Sequence, residues 1–144
     1  MNSSISILQT LDPFDREMDE LHPIDSIVQG TQVVGIGEGA HFVNEFGLVR
    51  ARLARYLIER HKFTHISLEM GLLQAMRLNP WVKGQGEEND LHFLAGPLTV
   101  GIYGNFLTWL RRYNLDCSQP VEIIGADLPN TLTLSDDLVH LTSY

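Results

Sequence analysis

THISLEM, residues 64–70, is short, carries the β-branched Thr64 and Ile66 and stands between two segments with helical spacing. It reads as a strand. Before it runs FVNEFGLVRARLARYLIERH, residues 42–61, where Asn44 is placed to cap a helix. Phe46, Val49, Leu53 and Leu57 fall on one face of that helix. After the strand, GLLQAMRLNPWVKGQ, residues 71–85, starts as a helix, with Pro80 a break or the start of a new turn.

The same reading extends outward. TQVVGIG, residues 31–37, is β-branched, apolar and bounded by glycines, and reads as a buried strand. PVEIIGADLP, residues 120–129, reads as the last strand. Residues 89–113 are mostly helical, with a glycine-rich interruption at GPLTVGIYG, residues 96–104. KGQGEEND, residues 83–90, is a polar loop. Residues 1–22 form an irregular lead-in, and a short helix follows Pro23 and ends at Gly30. Strands alternating with helices imply an α/β fold: a parallel-stranded central sheet flanked by helices. A length of 144 residues suits a single domain, 1–144.

Composition narrows the function. The formal net charge is −8, from 18 acidic and 10 basic residues, which disfavours general attraction to nucleic acid. No apolar run is long enough for a membrane span. The opening MNSSISILQTLDPFDREMDE lacks a basic n-region, so a cytoplasmic location is expected. The single cysteine, Cys117, sits in a loop-like NLDCSQP and has no zinc-type spacing.

In parallel sheets, ligands bind outside the carboxyl ends of the strands. Glu38 follows the first expected strand, Glu69 ends the second and Asp127 ends the third. Three acids are thus expected along one sheet edge, with His41 beside the first. Asp127 also suits a turn with Pro129.

The helical wheel adds an arginine. With Phe46 at zero, Leu53 returns at about −20°, Leu57 at about +20° and Arg50 at about +40°. Arg50 therefore lies inside the apolar stripe, while Arg52, Arg55 and Glu59 fall on the side where charge meets water. An inward guanidinium stays charged and needs a partner or a wet cleft. Glu38 and Glu69 are the candidate partners; the alternative is that Arg50 snorkels to solvent.

GEGAH, residues 37–41, is the loop with chemistry. Gly37 and Gly39 suit tight backbone turns. An exposed His41 takes a proton from water at neutral pH, provided a carboxylate fixes its tautomer. Glu38 is that carboxylate, and Arg50 steadies a developing oxyanion. Against this, a lone Glu-x-x-His has no specificity, and GIGEGA is too incomplete for a dinucleotide loop.

Taken together, VVGIGEGAHFVNEFGLVRARLARYLIERHKF, then ISLEMG, then IIGADLPN resemble the N-terminal part of the erythromycin esterase family, nearest its type A members. The likeness runs from about residue 31 to residue 138. It implies hydrolysis of the lactone ester of 14-membered macrolides without a metal or cofactor, and so antibiotic resistance. It implies His41 as general base, with Glu38, Arg50 and Glu69 completing the catalytic set. Phe42, Met70 and Asp127 are expected to contact substrate, with Trp81 and Tyr103 as further wall candidates. Family members are considerably longer and draw another active-site histidine from their second half. His140 does not match that motif. The chain is therefore expected to be a fragment or truncation, prone to self-association through the face where the rest would pack.

Two other readings stay open. A metallohydrolase would use Glu38, His41, Glu69 and Asp127, although Arg50 nearby repels a cation. A non-catalytic relative would bind ligand without turning it over.

Overall fold

The computed structural model describes residues 7–127. The chain divides into two compact units, the first ending at Lys62 and the second beginning at Phe63.

The first unit is helical. A 3-10 turn at Asp19–Ile24 leads into α1, Asp25–Val28, and then α2 covers Asn44–His61. Met18, Leu21 and Tyr56 form its core cluster, with Leu8, Ile24 and Leu53 against it. α2 starts one residue earlier than a cap at Asn44 would give, with Val43 as N-cap. It ends on Lys62 in a left-handed conformation.

The expected strand at 31–37 is absent: no residue there pairs with another strand, and Val33 is 86% exposed. β-branching alone does not make a strand; a neighbouring edge must supply hydrogen bonds. Glu38 therefore follows an irregular segment rather than a sheet strand.

The wheel also misplaces two charges. Arg52 is 1% exposed and Arg55 5%, where both were expected to face water. Their partners explain it. Arg52 Nε donates to Glu20 Oε1 at 2.9 Å, Nη1 donates to the Asp12 carbonyl at 2.9 Å, and Nη2 donates to the Glu17 carbonyl. Arg55 donates to the Pro13 carbonyl and to Glu59, at 3.0 Å for its Nη2. The lead-in wraps over that face of α2, and an irregular segment offers carbonyls that no ladder has used. The wheel assigns charge to water because it cannot see what covers the helix.

Tyr56 ties α2 to α1. Its hydroxyl donates to Asp25 Oδ1 at 2.7 Å, and His61 Nε2 lies 2.7 Å from the same oxygen. The phenol is pushed up from 10.0 to about 12, first by burial and then by Asp25. The Asp25 carboxyl is lowered, chiefly by the Tyr56 hydrogen bond and further by His61.

In the second unit, β1 covers His65–Gly71 and α3 Leu72–Val82; a 3-10 turn at Glu88–Asp90 leads into α4, Leu91–Asp116, and β2 is Glu122–Asp127. β1 and β2 pair in parallel as a two-stranded sheet, so helices and a small parallel sheet define the fold. Pro80 lies inside α3, in its last turn, rather than before a break. The interruption of α4 falls at Gly96, whose φ is 71°.

Two asparagines stand in for missing strands along β2. Asn79 on α3 donates to the Ile123 carbonyl at 2.8 Å and accepts from the Ile123 N–H at 2.9 Å. Buried Asn114 on α4 treats Val121 in the same way, at 2.9 and 2.8 Å. Arg111 on α4 fixes the turn at the end of α3, donating to the carbonyls of Trp81, Gln85, Gly84 and Gly86.

Leu68 pairs with Gly125 and Gly71 with Asp127, so three steps on β1 match two on β2 and one extra residue bulges out. Gly125 permits this: a Cβ there would lie 2.4 Å from the Gly71 carbonyl oxygen. No helix among the described residues is long and apolar enough to cross a membrane.

Arg52→Met should strand the Glu20 carboxylate and the lead-in carbonyls. The expected loss is about 3–5 kcal/mol of unfolding free energy, measured by urea titration. The folded state holds the Tyr56 proton more tightly than the unfolded state does. That contribution is complete below pH 10.0 and lost as pH rises towards about 12. Asp25 works at the other end, stabilising above 3.8 and losing its contribution as pH falls through its lowered value. Tyr56→Phe should flatten the alkaline limb of a stability–pH profile and weaken the acid one.

Candidate active site

The loop between the irregular 31–37 stretch and α2 brings three of the expected residues together. Glu38 Oε1 lies 2.7 Å from His41 Nδ1, and Glu38 Oε2 lies 2.8 Å from Arg50 Nη2. A carboxylate only accepts, so Nδ1 carries the hydrogen it shares with Glu38. In the neutral ring Nε2 is then the basic nitrogen. The imidazole also stands beside the tilted ring of Phe42, centroids 6.2 Å apart.

Burial grades across the trio. The Glu38 side chain is 15% exposed, Arg50 26% and His41 67%. The carboxylate is thus sheltered with a donor on each oxygen, while the imidazole projects towards solvent. Arg50 is half-buried, as its wheel position implies, and its partner is Glu38. Phe46 does not enter the core expected for it. It is 39% exposed, and its ring stands beside Gly39, 3.6 Å from where a Cβ would lie, so it props the loop.

The turn chemistry differs from the sequence expectation. Neither Gly37 nor Gly39 has a positive φ; the left-handed residue is Phe42, with φ 61°. Its side chain is not packed away, being 90% exposed.

Glu69 and Asp127 lie in the second unit. Side chains alternate along β1, so Leu68 and Met70 are buried and Glu69 is exposed between them. At 4% exposure Met70 is a core residue, which corrects its expected place on a substrate wall. The same applies to Trp81 at 1%. Asp127 is exposed at the end of β2, near the carboxyl end of β1. Pro129, its expected turn partner, and His140 lie outside the described residues. Cys117 caps the end of α4 and contacts the Gln119 carbonyl at 3.2 Å.

The donor set bears on metal binding. Glu38 and His41 supply ligand types that divalent ions accept. Both Glu38 oxygens, however, already receive N–H donors, one from a permanent cation. An ion at Glu38 would have to displace Arg50 or share the carboxylate with it.

A loop histidine oriented by a carboxylate has the chemistry of a general base. Comparison with known proteins makes the class specific. The family model described as erythromycin esterase matches residues 58–144, and the chain belongs to that family. It is 44% identical over 131 residues to erythromycin esterase type I of Escherichia coli, covering 91% of this chain and 32% of that protein. It is 33% identical over 116 residues to erythromycin esterase type II of Escherichia coli, covering 80% and 28%.

Among solved structures, it is similar to the erythromycin esterase EreC, solved as a histidine-to-asparagine mutant in its open conformation. That match has a TM-score of 0.76 and 41% identity, covering 92% of this chain and 33% of that one. A succinoglycan biosynthesis protein matches with a TM-score of 0.72 and 25% identity, covering 94% and 36%. The chain thus spans about a third of the length of the relatives it matches. The family model begins after the GEGAH loop. The 131-residue match to the type I enzyme leaves 144 − 131 = 13 residues of this chain, so it necessarily includes Glu38 to Arg50.

Proposed function

We propose that this chain carries the general-base end of a macrolide esterase. It would open the lactone of a 14-membered macrolide such as erythromycin, without a metal, and so inactivate the antibiotic. The observation that carries this reading is the Glu38 carboxylate, with His41 Nδ1 on one oxygen and Arg50 on the other. Family membership supports the substrate class.

In this mechanism His41 Nε2 takes a proton from water as its oxygen attacks the lactone carbonyl. Glu38 holds the imidazole in the tautomer that leaves Nε2 basic. Arg50 fixes the second carboxylate oxygen, so that Glu38 cannot swing away; a remaining guanidinium N–H steadies the oxyanion. Collapse of the tetrahedral intermediate breaks the ring C–O bond. The departing alkoxide takes the proton back from the imidazolium, and the net change is the addition of one water.

Glu69 joins the catalytic set on the strength of the family likeness, with its carboxylate exposed at the bulge of β1. Phe42 and Asp127, both exposed, are assigned to substrate contact. A macrolide is large and largely apolar, and an exposed aromatic beside the base suits it.

A metallohydrolase is disfavoured by the pairing of Arg50 with Glu38. The deciding assay is incubation with erythromycin, following the mass of the drug. In a full-length context the drug is expected to gain one water, with turnover reduced about 10²–10⁴-fold in His41→Ala. Glu38→Gln should lose a comparable factor. A glutamine has one acceptor where the site has two donors, so either His41 or Arg50 is denied its partner. Turnover that survives His41→Ala would overturn the assignment of the base. Bound drug of unchanged mass would favour a non-catalytic relative, and activity abolished by a chelator would favour a metal.

A further inference from the structure

Phe42 combines two features that rarely meet. Its backbone is left-handed, at φ 61°, a region bulky L-residues avoid. Yet its ring is 90% exposed, so no core packing compensates. The two glycines of the loop, which could adopt this conformation without steric cost, do not. Something fixes the chain direction at residue 42 itself.

That constraint is the Glu38 carboxylate. It is gripped from both sides of residue 42: by His41 immediately before it, and by Arg50 on the helix that begins just after it. The chain runs from Glu38 through His41, reverses at Phe42, leaves Val43 as N-cap and enters α2. Val43 accepts from the N–H groups of Phe46 and Gly47, at 3.1 and 3.4 Å, so the helix start is itself fixed. With Glu38 held by Arg50, the torsion at residue 42 decides whether His41 Nδ1 reaches the other oxygen. Were the residue to relax to an extended conformation, the direction of the chain between His41 and α2 would change. One of the two contacts would then break.

We infer that Phe42 is a positioning residue whose left-handed backbone aims His41 Nδ1 at Glu38. This rests on the reading of His41 as base only for its catalytic meaning; the geometry is testable without substrate.

The test reads the tautomer. An unconstrained neutral imidazole favours its hydrogen on Nε2, whereas the bond to Glu38 requires it on Nδ1. The nitrogen chemical shifts of His41 distinguish the two forms by NMR on the native chain. Phe42→Gly and Phe42→Ala remove the same ring but differ in how readily they adopt positive φ. Phe42→Val resists it most.

The wild type and Phe42→Gly are expected to show the Nδ1–H signature. Phe42→Ala should lose part of it, and Phe42→Val should revert towards Nε2–H. Should Phe42→Val fail to fold, the alanine and glycine pair decides alone. Identical signatures in Phe42→Gly and Phe42→Ala would overturn the inference, as would an Nε2–H signature in the wild type. The erythromycin assay is read separately. A lost tautomer order with intact hydrolysis would remove the catalytic meaning of His41 and leave the positioning role standing. An intact order without hydrolysis in the wild type would support the positioning role and count against the esterase reading alone.

Discussion

A buried guanidinium has five N–H donors and cannot shed its charge, so every arginine folded inward dictates what must surround it. Arg52 gathers the carbonyls of the lead-in and the Glu20 carboxylate, Arg55 adds the Pro13 carbonyl, and Arg111 gathers the loop from Trp81 to Gly86. In each unit a helix-borne arginine thus organises a segment with no ladder of its own. Irregular chain suits this purpose because many of its carbonyls have no strand or helix partner. The cost of burying the charge is offset only if the geometry is complete. The segment and the arginine therefore order each other.

Helix α2 applies the same device three times. Arg52 and Arg55 face the lead-in, while Arg50 faces the GEGAH loop and meets Glu38. A single helix thereby fixes two non-regular segments, one structural and one chemical. All three arginines meet a carboxylate: Glu20, Glu59 and Glu38. The difference lies in what else that carboxylate holds: the second oxygen of Glu38 takes His41. The site is an extension of the packing scheme, with one acceptor left over for the imidazole.

This explains what could be read in advance. Arg50 stands out on the wheel because it breaks an apolar stripe, and Glu38 and His41 stand out because acid and imidazole share one short loop. Both strands of the sheet are legible because each is a short apolar run, and each finds the other as its pairing edge. Arg52 and Arg55 were misjudged because helical periodicity describes a helix with a single buried face, and α2 is covered on a second by the lead-in. The 31–37 stretch was misjudged for the converse reason: its residues suit a strand, but strand formation belongs to a pair of segments. Asn79 and Asn114 gave no local sign. Asparagine within a helix is unremarkable until the opposing backbone of β2 is known.

The carboxylate's double duty also separates two effects that are easily merged. An isolated Glu38 would act on His41 both by orienting its ring and by the field of a full negative charge. With Arg50 2.8 Å from the other oxygen, much of that field is cancelled by a permanent positive charge. Orientation is not cancelled; it is strengthened, because a carboxylate pinned at one oxygen has less freedom at the other. The pairing therefore favours a role in which Glu38 selects the tautomer and direction of His41 more than it supplies charge. Directional control of this kind depends on backbone geometry over the few residues between the partners. In this loop those residues include a left-handed phenylalanine that no packing requirement explains.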